Sequence, residues 1–233
     1  MKNTLLIILL ISNTIIGQES NTLNLIPKNA ELTEIIKYDT LFKPKYPDGI
    51  YLSKKDFISK KVNTSKAVEL RNFNKKPIDS IIHNPYFYYK ENKKKVKNVF
   101  AISYKGHLYF QIKAILENRN KTDRAQSTNF HNTFVRVIIG GNNYLYTEAE
   151  LVNQWAMGTA VNFGIVGGII ANDLIKGKGL VWDFKNEEFN IFKSCKDYNK
   201  FISTKIKDDI QECKNHQPNI FKVRETIDKI NFF

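Results

Sequence analysis

The chain has 233 residues and a formal net charge of +13, enough length for one large domain with a sizeable core. Its basic residues are 31 Lys and only five Arg (Arg71, Arg119, Arg124, Arg136 and Arg224), a balance that argues against a nucleic-acid partner, because readers of nucleic acid lean on the forked guanidinium. The charge supports solubility and weak attraction to anionic polymers or membranes.

The N-terminus reads as a Sec signal peptide over residues 1–17. Lys2 supplies the positive start, Leu5 to Ile11 the apolar run, and Gly17 the small residue before a cut near Gly17/Gln18. The run covers about half of the roughly 20 apolar residues a bilayer core requires, so a permanent anchor is not expected. No cysteine adjoins the cut, which closes the lipoprotein route. The expected location is therefore secreted or periplasmic. Residues 18–45 are polar and read as a loosely ordered lead-in, leaving 46–233 as a single domain.

Pro47-Asp48-Gly49 is a turn signal, with Ile50-Tyr51-Leu52 a short strand behind it. Ser53 is placed to N-cap a helix carrying Asp56, Phe57 and Ile58. Pro85-Tyr86-Phe87-Tyr88-Tyr89 then runs into the basic stretch from Lys90 to Lys97. Three hairpins are predicted: Val99–Tyr104 with Leu108–Lys113, Phe130–Ile139 with Tyr144–Thr147, and Gly179–Phe184 with Glu188–Phe192. Between the first two, 118–129 is a charged and polar loop. The C-terminus turns helical, with Tyr198, Ile202, Ile206, Ile210 and Cys213 recurring at three or four, and Pro218 opening a second segment through Ile220, Val223, Ile227 and Ile230. Hairpins followed by helices imply an α+β fold: an antiparallel sheet with the C-terminal helices packed on it.

The Asp48-Gly49-Ile50-Tyr51-Leu52-Ser53 opening with Asp56-Phe57 behind it, the Val181-Trp182-Asp183-Phe184 hairpin and the Ile227…Ile230-Asn231 tail resemble a family of small secreted Bacteroidetes proteins, a domain of unknown function. The likeness runs from about Tyr46 to the C-terminus and departs at Lys185-Asn186, where a glycine-containing turn is expected. It implies location and class; the family has no assigned catalytic or binding residues to transfer.

Cys195 and Cys213 form an even pair, which an oxidising compartment would bridge. One continuous helix between them would hold them about 27 Å apart, against the roughly 4.4–6.8 Å a disulfide requires. A bridge therefore needs a break near Ser203-Thr204-Lys205, and both outcomes stay open. His83, His107, His131 and His216 are scattered, with His107 at a hairpin turn and His131 at a strand start reading as surface residues, so no metal or other cofactor is expected. No nucleophile motif occurs, and the carboxylate pairs Glu148/Glu150 and Asp208/Asp209 read as solvated rather than as a glycosidase dyad. No catalytic residue is assigned.

The uncharged, glycine-rich segment 151–172 reads first as close-packed core, with membrane insertion and a ligand loop behind it. The best candidate ligand surface is Tyr86, Tyr88 and Tyr89 with Lys93, where aromatic faces lie beside cations. The reading preferred over it is a strand with one face buried and one tyrosine row exposed beside a solvated basic loop. The expected function is an exported, non-catalytic, envelope-associated binding or structural protein whose partner is an envelope polymer or another envelope protein. A membrane-inserting protein using 151–172 and an enzyme acting on cell-surface polymers are the alternatives.

Overall fold

A computed structural model describes residues 45–123, 126–153, 177–214 and 216–232. The expected signal peptide, nearly all of the lead-in and most of the 151–172 segment lie outside the described residues. In chain order the first half contains β1 (Gly49–Tyr51), α1 (Lys54–Ile58), β2 (Val68–Arg71), β3 (Tyr86–Tyr89), β4 (Ala101–Tyr104), β5 (His107–Gln111) and α2 (Ile112–Glu117). Then come β6 (Gln126–Ser127), β7 (Phe134–Arg136), β8 (Ile139–Gly140), β9 (Tyr144–Ala149), β10 (Val152–Asn153), β11 (Lys178–Asp183) and β12 (Glu188–Ile191). Helices α3 (Cys195–Ile202) and α4 (Ile220–Ile230) close the chain, with a 3-10 turn at Lys207–Asp209 between them. The fold is α+β, with every named strand pair antiparallel.

Strand periodicity builds the layers. One four-stranded sheet has the order β1-β4-β5-β7 and a second the order β12-β11-β9-β8. Alternate side chains of the first, Tyr51, Ala101, Leu108, Phe110 and Val135, meet Leu145, Leu180, Trp182, Phe189 and Ile191 of the second in one buried cluster. The opposite face of the second sheet presents Ile139, Tyr146 and Val181 to Tyr198 and Ile202 of α3 and to Val223, Ile227 and Ile230 of α4. The opposite face of the first, Ile50, Ile102, Tyr109 and Phe134, is covered by Val68, Leu70 and Phe87 of the two-stranded ribbon β2–β3. Helices, sheet, sheet and ribbon are stacked in that order. Both sheets are buried on both faces.

Several predicted elements change shape. The arm expected to run to Lys113 ends at Gln111, and Ile112 begins α2, burying Ile112, Ala114, Ile115 and Leu116; a short apolar run is compatible with either period. The strand expected over 130–139 divides between the two sheets, because β7 pairs with β5 whereas β8 pairs with β9. Strand β2 has no counterpart in the sequence reading, although Val68 and Leu70 alternate with Glu69 and Arg71 as buried and half-buried positions.

Side-chain oxygens hold the three hairpin turns. Asp48 accepts from Ser103 Oγ at 3.0 Å and from the backbone N–H of Lys105 at 3.0 Å and Gly106 at 3.4 Å. Lys105 and Gly106 both have positive φ, 51° and 75°, the two-residue geometry that matches the twist of paired strands. Asp183 accepts from the N–H of Lys185 and Asn186, which is why the third turn works without a glycine there. Asn231, past the end of α4, accepts from Tyr144 N–H at 2.9 Å and lies so close to Gly141 that a Cβ on that glycine would sit 2.6 Å from it. Ser53 and Asp56 form a reciprocal capping box on α1, as the motif predicts.

At the C-terminus the expected long helix breaks. Helix α3 stops at Ile202, and the chain returns past its own start, with Asn199 bonding both the carbonyl and the N–H of Gln211. Cys213 is therefore not on a helical stripe. It forms a disulfide with Cys195, the Cα atoms 5.5 Å apart. The break falls at Ser203–Lys205, a turn following the helix.

Replacing Asp48 with alanine removes all three of its turn bonds and should lower unfolding free energy by about 1–2 kcal/mol, whereas Asp79→Ala, an exposed control, should stay within about 0.5 kcal/mol. Equal denaturation midpoints for the two variants would contradict the turn-holding role.

Candidate functional site

The ribbon β2–β3 is the outermost layer, and its register sorts its side chains. The pairs Val68↔Tyr89 and Leu70↔Phe87 alternate with Glu69↔Tyr88 and Arg71↔Tyr86. The first set faces the core. Tyr89 belongs to it, packing half-buried against the cluster beneath the ribbon, so it is not part of a ligand surface. Period-two alternation separates it from Tyr86 and Tyr88.

The second set faces outward and makes a mixed aromatic and cationic surface. The Arg71 guanidinium lies 4.4 Å over the Tyr88 ring, leaving that ring only 7% exposed. Tyr88 thus supports the surface from below rather than presenting its own face. Lys95, held opposite Tyr88 by an isolated bridge, places its ammonium 3.8 Å from the Tyr86 ring centroid. Glu69 accepts from Arg71 Nε at 2.9 Å and from Lys93 Nζ at 3.3 Å. The bond from Arg71 holds its carboxyl below the usual range, with Lys93 adding to the effect.

Two phenylalanines complete the surface. Phe73 packs edge-on against Tyr86 at 5.6 Å and against Phe130 at 4.9 Å, yet Phe73 is 53% and Phe130 43% exposed. The sequence reading missed both. The available signal was a lone aromatic inside a polar run, Asn72-Phe73-Asn74-Lys75-Lys76, and another after the polar 118–129 loop. Of the predicted surface residues, Tyr86, Tyr88 and Lys93 share one face and Tyr89 the other.

Other polar clusters are engaged internally. Glu148 is not solvated: it receives Arg224 through Nε at 2.8 Å and Nη2 at 2.9 Å, and the Tyr146 hydroxyl at 2.8 Å, fastening α4 to β9. His83 is half-buried, and its Nε2 donates to the Glu148 carbonyl at 2.8 Å. Burial pulls its imidazole below the ordinary value, Glu148 opposes the fall, and Arg136 and Arg224 add to it. Asp209 pairs with Lys229 at 3.2 Å.

A cleft of about 280 Å³ lies between the 120–123 loop, β12 and α3. Three of its four acids are hydrogen-bonded within the fold. Asp183 holds its turn, Glu188 accepts from Asn120 and Asp197 accepts from Ser194, whereas the buried Asp123 lies 3.3 Å from Lys193 Nζ with neither carboxylate oxygen in a hydrogen bond. Burial raises the Asp123 carboxyl despite that lysine. Lys178, buried nearby, donates to the Leu151 carbonyl, and desolvation lowers its ammonium to about 8. Among the described residues no group of three His, Cys, Asp or Glu side chains is arranged to hold a metal ion.

Because the fold favours neutral His83, its stabilising contribution is complete above the ordinary histidine value of ~6.5 and is lost as pH falls below it. His83→Gln should therefore lose less stability than the wild type between about pH 7 and about pH 5. Identical acid dependence of the melting temperatures would contradict this.

Comparison of the chain with protein-family models, with curated proteins and with solved structures returns no match.

Proposed function

We propose that this chain is an exported, non-catalytic binding module of the cell envelope, and that it contacts its ligand through the outer face of the β2–β3 ribbon. The observation that carries the reading is the Phe73–Phe130 pair. Single exposed apolar side chains are ordinary on protein surfaces. Two rings in contact, 53% and 43% exposed and adjoining Tyr86 and Lys95, make a contiguous patch of the kind that marks an interaction site. The ribbon backing them is packed through Leu70 and Phe87, so the rings are presented on a firm base.

Export is supported by the leader read over residues 1–17 and by the Cys195–Cys213 disulfide, a bond that persists in oxidising compartments and is rare elsewhere. The resemblance to secreted Bacteroidetes proteins points the same way. The non-catalytic reading rests on where the titratable groups go: Glu148 to Arg224, Asp183 to its turn and Asp197 to Ser194. Such groups are committed to the fold. A partner on the envelope, polymer or protein, fits a surface that offers aromatic rings and cations in the open.

Protein recovered from its source should lie outside the cytoplasm and begin at Gln18. Adsorption onto purified envelope material should fall about tenfold in Phe73→Ala with the melting temperature unchanged, as for an exposed aromatic contact worth more than about 1 kcal/mol. A chain starting at Met1 in the cytosol would contradict export. Undiminished adsorption would contradict the assignment of the face.

A further inference from the structure

We infer that the ligand of this face is an anionic polysaccharide, its sugar rings lying against Phe73 and Phe130 and its acidic groups meeting Lys95, Lys93 and Arg71. The inference rests on the binding reading above and adds the chemical class.

Charge distribution is the first ground. Residues 66–98, the ribbon and its flanking turns, hold nine Lys or Arg against three Asp or Glu, a net +6 within a chain whose total is +13. Few of these cations are neutralised locally. Lys66 pairs with Glu91, and Arg71 and Lys93 share Glu69. Among the described residues, Lys75, Lys76, Lys90, Lys94, Lys95 and Lys97 have no ion pair. Like charges gathered this way repel one another, and a polyanion lying across them relieves that repulsion.

Shape and surface chemistry narrow the class. The face is the open side of a strand ribbon and not a pocket, so a small molecule would leave most of its surface in water, whereas an extended chain gathers contacts along its length. Sugar rings have apolar C–H faces that pack on aromatic rings, and Phe73 and Phe130 supply such rings beside the ammonium over Tyr86. A lipid surface is the weaker fit, because peripheral insertion uses an amphipathic helix with a broad apolar face, and this patch is a strand ribbon. Nucleic acid is weaker again, given five Arg among 36 basic residues. Each exposed lysine contributes little and is screened by salt, so the interaction depends on repetition along the polymer.

The purified protein is titrated with polygalacturonate, dextran sulfate, uncharged dextran, phosphatidylglycerol vesicles and single-stranded DNA, from about 0.1 M to about 1 M salt, over which the screening length falls from ~10 Å to ~3 Å. Expected are binding to polygalacturonate or dextran sulfate that weakens by about tenfold or more with salt, and a loss of similar size in both Lys95→Glu and Phe73→Ala. Circular dichroism checks that both variants fold. Equal binding of uncharged dextran, still lost in Phe73→Ala, overturns the anionic class and leaves the face standing. Binding of vesicles or DNA in preference to polysaccharide overturns the class as well. Polysaccharide binding that neither variant alters overturns both the class and the face, and no binding to either charged polysaccharide overturns the inference.

Discussion

Trp182 is fully buried between the two four-stranded sheets, and the packing around it is the constraint on which the remaining layers depend. Its ring centroid lies 4.9 Å from that of Phe189, 5.3 Å from Phe100, 6.0 Å from Phe57 and 6.4 Å from Phe110. These neighbours come from β12, the approach to β4, helix α1 and β5, so one side chain joins elements from both sheets, from the first helix to the last strand. Aromatic pairs of this kind add about 0.5–1.5 kcal/mol each beyond the area they bury. With the sheets locked face to face, each has one free face left. The C-terminal helices cover one and the β2–β3 ribbon the other.

The short motifs at Asp48–Ser53, Val181–Phe184 and Ile227–Asn231 serve this architecture. Asp48 ties the β4–β5 turn, Ile50 and Tyr51 enter opposite clusters from the edge strand, and Asp183 ties the β11–β12 turn beside Trp182. Asn231 reaches from the end of α4 to the β8–β9 turn. A turn needs a specific acceptor at a specific place, which makes such residues recognisable in a sequence. They carry information about the fold and none about a ligand.

The same physics explains what could be read in advance. Tyr144–Thr147 and Glu188–Phe192 show alternation and flanking turn residues, and both regions are strands. The 195–213 region misleads because its three-to-four spacing continues past Ile202, where the chain in fact folds back to bring Cys213 to Cys195. Spacing reports periodicity and not a reversal made by tertiary contacts. At the candidate surface, Tyr86 was visible as part of an aromatic run. The division of that run between two faces depends on pairing register, and the arrival of Phe130 beside Phe73 depends on how the loop before β7 packs. A fold must exist before either can be seen. Outward display of the ribbon face follows from its place as the last layer.

Native-state hydrogen exchange tests the layered account most directly. If the aromatic interlock makes the two sheets one cooperative unit, amides of β4, β5, β9 and β11 should exchange only through global unfolding, with one shared free energy, and those of the β2–β3 ribbon should open at a lower one. Separate opening energies for the two sheets, or a ribbon that outlasts them, would contradict it.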